Sequence, residues 1–219
     1  MGKQTKVSIE AEGAVLEGTL ALPDSPMGIV LFAHGSGSSR FSPRNSAVAS
    51  RLRAAGMATL LVDLLTPAED ANYENRFNIP LLTERLDAAA QWVFVDTELT
   101  RLPLALFGAS TGAAAALMLA ARLATNGNQI CSVVSRGGRA DLVPKDELAR
   151  VIAPTLLLVG SLDSQVIDLN QYAYSCLTCI KKFEIISGAS HLFEEPGTLE
   201  QVADLAAHWF SSYFKECKQ

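Results

Sequence analysis

Along the chain, short apolar runs alternate with longer stretches whose apolar residues recur every three or four positions, a pattern that predicts strands joined by helices. Lys6 to Glu10 and Ala14 to Leu22 instead alternate residue by residue and meet through Glu12-Gly13, which predicts an antiparallel hairpin at a sheet edge. Met27 to Ala33 is continuously apolar, as in a central strand covered on both faces. Asn45 to Met57 reads as a helix with Val48, Leu52 and Ala55 on one face, Thr59 to Leu65 as a strand, and Pro80 to Val95 as a helix. Leu102 to Gly108 follows as a buried strand and Ala113 to Leu123 as a helix rich in small residues. Ile130 to Val134 and Thr155 to Val159 are further strands, Val166 to Leu177 a helix, and Lys182 to Ile186 the last strand. From Thr198 to about Phe214, the residues Val202, Leu205, Ala206, Trp209 and Phe210 form the i, i+3, i+4, i+7, i+8 stripe of a buried helix. Thr66 to Asn78 is the longest stretch without periodicity and reads as a mobile rim.

Strands alternating with crossover helices imply an α/β fold of three layers, a mainly parallel sheet with helices on both faces and the hairpin at one edge. Residues 1–219 read as one such domain, with no insertion long enough to build a cap over it. Ligands of these sheets bind beyond the carboxyl ends of the strands. His34, Ser110, Arg136, Arg139, Asp163 and His191 all fall at such ends.

Composition narrows the partners more than the chemistry. At 49% hydrophobic and 19% charged, the 219 residues can bury a large core. A net charge of -5 with no basic run offers nothing to nucleic acid phosphates. Met1 to Lys6 lacks the apolar core of a signal peptide and no run is long enough to span a membrane, so a cytoplasmic location and no membrane partner are expected. Cys131, Cys176, Cys179 and Cys217 lie in or beside apolar segments and read as reduced, packed thiols. Cys176 and Cys179 have C-x-x-C spacing, but no second Cys or His pair accompanies them, so neither metal nor redox chemistry is expected.

Gly108-Ala109-Ser110-Thr111-Gly112 matches G-x-S-x-G between an apolar strand and a helix, the context of a nucleophile elbow that lifts a serine Oγ above the sheet. Glycines two residues either side of Ser110 permit the close passage of strand and helix. A serine needs a base, and His191 in Gly188-Ala189-Ser190-His191 is the candidate; His208 lies within the final helix, and His34 suits a loop-orienting role. The base needs a carboxylate to hold its tautomer. Asp163 completes the chain order Ser, Asp, His, with Asp141 and then Asp63 behind it; the other reading of Asp163 is a helix N-cap. Backbone N-H groups of Thr111 and of Ser36, with Gly37 close behind, are the candidate oxyanion donors. Arg136 and Arg139 sit on the same rim and are candidates for holding an anionic substrate, or are solvated or internally paired. Gly35 and Gly37 lack the rest of a phosphate-binding signature.

Taken together, His34-Gly35, the elbow around Ser110, Gly160-Ser161-Leu162-Asp163 and Gly188 to Phe193 resemble the α/β-hydrolases, and within them the dienelactone hydrolase branch, over nearly the whole chain. The pattern is also similar to hydrolase-like domains found fused to phosphoribosyltransferases. The resemblance implies a Ser/Cys-His-Asp hydrolase with no cofactor and a small-molecule substrate. Three positions depart from authentic dienelactone hydrolases: Ser110 stands for their cysteine, Glu195 for an arginine one turn beyond the histidine, and Gly35 for a first-loop glutamate. A simple carboxylic ester is therefore the expected substrate. Lactone, thioester or peptide cleavage on the same triad, or a non-catalytic binding module, are the alternatives.

Overall fold

The computed structural model describes residues 3–125 and 130–217. Met1 and Gly2, the start of the segment read as too polar for a signal peptide, lie outside the described residues. The strands are β1 Lys3–Ala11, β2 Ala14–Leu22, β3 Ile29–Ala33, β4 Ala58–Val62, β5 Leu104–Ala109, β6 Ile130–Arg136, β7 Thr155–Gly160 and β8 Lys181–Ile186. The helices are α1 Pro43–Ala54, α2 Pro67–Asp70, α3 Ile79–Val95, α4 Thr111–Leu123, α5 Lys145–Arg150, α6 Ser164–Cys176 and α7 Thr198–Glu216.

Among the described residues the strands form one sheet in the order β1-β2-β4-β3-β5-β6-β7-β8. The β1–β2 hairpin turns through Glu12 and Gly13, with Ala11 opposite Ala14, and β2 runs antiparallel to β4. Every pairing from β4 through β8 is parallel. The five residues of β3 are fully buried, as a strand covered on both faces must be. One face carries a core with Leu31, Leu60, Leu106 and Leu157 under the buried stripes of α3 and α4; the other carries Phe32, Phe107, Val134 and Leu158 under α1 and α7. The rings of Phe32 and Phe107 lie 4.9 Å apart and join neighbouring central strands beneath α1 and α7. Ala113 to Ala116 let α4 lie close to the sheet, which sets the height of the residue before it, Ser110.

Residues 66–78 are not an unstructured rim. Thr66 caps α2 by a reciprocal box with Glu69, and residues Tyr73–Phe77 add a 3₁₀ turn. Arg85 of α3 donates to Glu69 at 2.6 Å, and Arg76 takes both carboxylate oxygens of Asp70 at 2.8 Å. Polar pairing organises this segment, and polar pairing leaves no apolar period for a sequence reading to detect. The short helix α5 escaped for the same reason, since one and a half turns cannot display a 3.6-residue repeat.

The cysteines require a correction. Cys131 of β6 and Cys217, which ends α7, are joined in a disulfide across 86 residues, whereas Cys176 and Cys179 are free. An apolar setting is equally suitable for a packed thiol and for a cystine, so only the pairing of a strand with a distant helix end separates them. Among the described residues, no helix is long and apolar enough to cross a membrane.

Candidate active site

Ser110 stands between β5 and α4 at φ 50° and ψ -122°, a left-handed conformation that a residue with a Cβ adopts only under constraint from its surroundings. Its amide donates to Arg136 O at 3.2 Å, and its carbonyl accepts from Ala113 and Arg139 amides at 3.0 and 3.1 Å. The bend is thus tied to the neighbouring strand β6 as well as to its own helix. A Cβ at Gly112 would run into the carbonyl oxygens of Ala33 and His34, so the first turn of α4 can lie against the end of β3 only with glycine there.

His191 follows β8 on a loop, and its Nδ1 lies 2.6 Å from Asp163 Oδ2. Asp163 occupies the N-cap position of α6 but makes no side-chain cap bond, so its carboxylate serves the imidazole and not the helix. Among the described residues the other ring nitrogen, Nε2, has no hydrogen bond. The ring lies beside the β6 end, where a side chain at Gly137 would reach within 3.5 Å of Nδ1 and Cε1, one residue from the carbonyl that holds Ser110. His191 and Asp163 thus pair beyond the ends of β7 and β8, and Ser110 stands at the end of β5, tied by its amide to the end of β6.

On the other side of Ser110 lies the loop after β3. A Cβ at Gly35 would come within 2.9 Å of Ser110 Cβ, which brings this loop directly against the serine. Ser36, Gly37 and Thr111 border a shallow depression walled by Leu65, Leu82 and Arg76.

A family model described as an alpha/beta hydrolase domain matches residues 26–211. The chain belongs to this family. A dienelactone hydrolase from Anabaena variabilis is 47% identical, with a TM-score of 0.92, and the match covers 97% of this chain and 98% of that one. The esterase domain of a Rhodothermus marinus protein shares the fold at a TM-score of 0.78 and 20% identity, covering 97% and 99%. Two proteins of Mycobacterium tuberculosis strains, provisionally named phosphoribosyl transferases, are 50% identical over 208 residues, 95% of this chain but 46% of theirs. The chain thus spans about half the length of those relatives.

The remaining histidines and carboxylates singled out in the sequence have other partners or lie elsewhere. His34 is 8% exposed; its Nδ1 donates to Gly35 O at 2.9 Å and its Nε2 accepts from Leu64 N at 3.0 Å. It ties the loop after β3 to the loop after β4 and has no nitrogen left for a substrate. Asp63 accepts from the backbone and the guanidinium of Arg40 and braces the same loops. His208 is exposed on α7, away from the elbow. Asp141 receives Nε and Nη2 of Arg139 at 2.8 Å each and does not reach His191.

Arg139 is paired inside the fold, whereas Arg136 is buried with its Nη1 unpartnered among the described residues. Arg139 is held by Asp141, which raises its pKa. Arg136 is 8% exposed, with its guanidinium 6.0 Å from the centre of the Phe193 ring, two residues past His191. Burial, reinforced by Arg44, pushes its pKa down to about 10, which still leaves it charged at neutral pH. Two further residues support the His191 loop: Phe193 with a left-handed φ of 56°, and Glu195, whose Oε2 accepts from Ser190 N at 3.0 Å. That hydrogen bond lowers the Glu195 pKa, and it gives the residue standing in place of the family's arginine a bracing role. Arg76, whose Nη1 would lie 3.7 Å from a Cβ at Gly37, was hidden in an aperiodic stretch.

The setting of His34 carries a prediction about stability. Burial lowers its pKa below the ordinary 6.5, partly offset by the Gly35 carbonyl and by Asp63 and Asp70. The unfolded chain then binds a proton that the folded chain refuses, so this contribution to stability is complete above pH 6.5 and is lost as pH falls toward the folded-state value. Urea midpoints should decline as pH drops below 6.5 in the parent and decline less over that range in His34→Gln. Parallel pH profiles for the two proteins would remove His34 from the account.

Proposed function

We propose that this chain is a serine hydrolase of small carboxylic esters. Ser110 attacks the carbonyl, and Nε2 of His191 takes its proton, since Nδ1 is bound to Asp163. The backbone N-H of Thr111, at the head of α4, and that of Ser36, with Gly37 beside it, hold the oxyanion; all three residues border the depression next to the serine. His191 then returns the proton to the leaving alcohol, and water clears the acyl-enzyme by the same steps in reverse. No cofactor enters this scheme.

The observation that carries the reading is the strained Ser110 backbone beside a His191–Asp163 pair, because φ 50° at a serine is costly and persists where the raised hydroxyl is used. A fluorophosphonate probe should add one adduct, mapped to Ser110 and absent from Ser110→Ala. The same protein should cleave acetyl and butyryl esters faster than long-chain ones, since the depression beside Ser110 is shallow and roofed only by residues 66–78. Folded protein that takes no adduct, or takes it elsewhere, would sink the assignment and leave the non-catalytic module.

A lactone is an internal ester open to the same attack, and the 47% identity to a dienelactone hydrolase favours including lactones among the substrates tested. A carboxylate-bearing lactone would find Glu195 and the Arg44–Glu194 pair beyond the histidine, so uncharged esters should be turned over faster.

A further inference from the structure

A second cavity shares no lining residue with the depression beside Ser110. It encloses about 280 Å³ between α1 and the sheet edge formed by β1, β2 and β4. Its floor is set by register. Gln4 stands opposite Ala21 and Ala21 opposite Thr59, so these three share a row; Lys6, Thr19 and Leu61 form the next row on the same face. Its wall is α1, where Ser46 and Arg53 are seven residues apart and share one side of the helix. Arg40 and the exposed ring of Phe41, which stacks on the Arg40 guanidinium, close the end.

The charges in this cavity are all of one sign. Arg40 and Arg53 line it and no carboxylate does. Arg40 is anchored from behind by Asp63 and, at 3.9 Å, by Glu17, yet its Nε is buried without a partner. Arg53 has no carboxylate among the described residues; its single hydrogen bond is a long one of 3.4 Å to Thr59 Oγ1, and burial lowers its pKa. A half-buried guanidinium is ordinarily paired, because desolvating it costs several kcal/mol unless its donors are satisfied. Around it stand the hydroxyls of Thr19, Ser46 and Thr59 and the Gln4 amide.

We propose that this cavity is a binding site for a small organic phosphate. Donors approach from two walls, the Arg53 fork and the exposed Ser46 hydroxyl from α1 and the Thr19 hydroxyl from the sheet. Such a spread suits the three oxygens of a tetrahedral group better than a planar carboxylate, which one guanidinium saturates. At about 30 Å³ per water the volume corresponds to about nine waters, room for a phosphate with a three- to six-carbon polyol attached. The Phe41 ring offers that carbon skeleton an apolar rim.

The test is calorimetric titration of the whole chain with glycerol 3-phosphate, inorganic phosphate and glycerol. Glycerol 3-phosphate should bind one to one, more weakly as salt rises, and glycerol should give no heat. Inorganic phosphate should bind more weakly than glycerol 3-phosphate. Arg53→Gln, checked for parent-like melting, should weaken binding at least tenfold, and Ser46→Ala should weaken it less. Protein capped at Ser110 with a fluorophosphonate should bind as before, which separates this site from the active site. The proposal fails if no phosphate gives saturable heat at millimolar concentration, if Arg53→Gln binds like the parent, or if capping Ser110 abolishes binding.

Discussion

Asp163→Asn is expected to lose on the order of 10³ or more in kcat while the protein stays folded, and Asp141→Asn to remain within about tenfold of the parent. The carboxylate of Asp163 receives His191 Nδ1 at 2.6 Å. An amide there leaves the shape intact but stabilises the wrong imidazole tautomer and no longer compensates the imidazolium; in serine proteases the same change costs about 10⁴ in kcat. Folding should survive, because the Asp163 side chain caps nothing on α6. Asp141 is bound to Arg139, a partly exposed pair of the kind worth about 1 kcal/mol or less, and it touches neither Ser110 nor His191. Steady-state rates on a short ester, with melting curves of both variants, decide the matter. The reverse ranking in two folded proteins would move the acid to the segment after β6.

The second large effect concerns stability. Oxidised parent protein should exceed Cys217→Ser by about 4 to 5 kcal/mol, the chain-entropy value for a cross-link closing 86 residues, and reduced parent should match the variant. For a chain of this size the difference corresponds to a melting shift of about 10 °C or more. The bond joins β6, a central strand, to the end of α7, the helix that covers the Phe32 and Phe107 face, so its loss should loosen that face first. Thiol titration of unfolded protein without reductant should count Cys176 and Cys179 alone. Four reactive thiols, or equal melting of oxidised parent and Cys217→Ser, would show that the cross-link does not form.

Much of this protein is written in local patterns. The unbroken apolar runs at β3 and β5, the stripe of α7, and the glycines around Ser110 each follow from what one strand or one helix must bury or pass close to, so their positions are readable without a structure. The serine and the histidine share this legibility, because each closes a strand with a short motif of restricted backbone. What the sequence could not decide is which distant groups meet. Asp163 and Asp141 both follow strands, and only the packing of β7 and β8 brings one of them to His191 while Arg139 takes the other. Cys131 and Cys217 carry no signature of their pairing, since it depends on where α7 ends against β6. Arg136 looks like a rim residue in sequence, yet the tertiary structure buries it under Phe193. The cavity beside Arg53 draws its lining from β1, β2, β4, α1 and the loop before α1. Periodicity records how each segment meets the core, whereas contacts between side chains far apart in sequence depend on strand order and helix placement, which no single segment encodes.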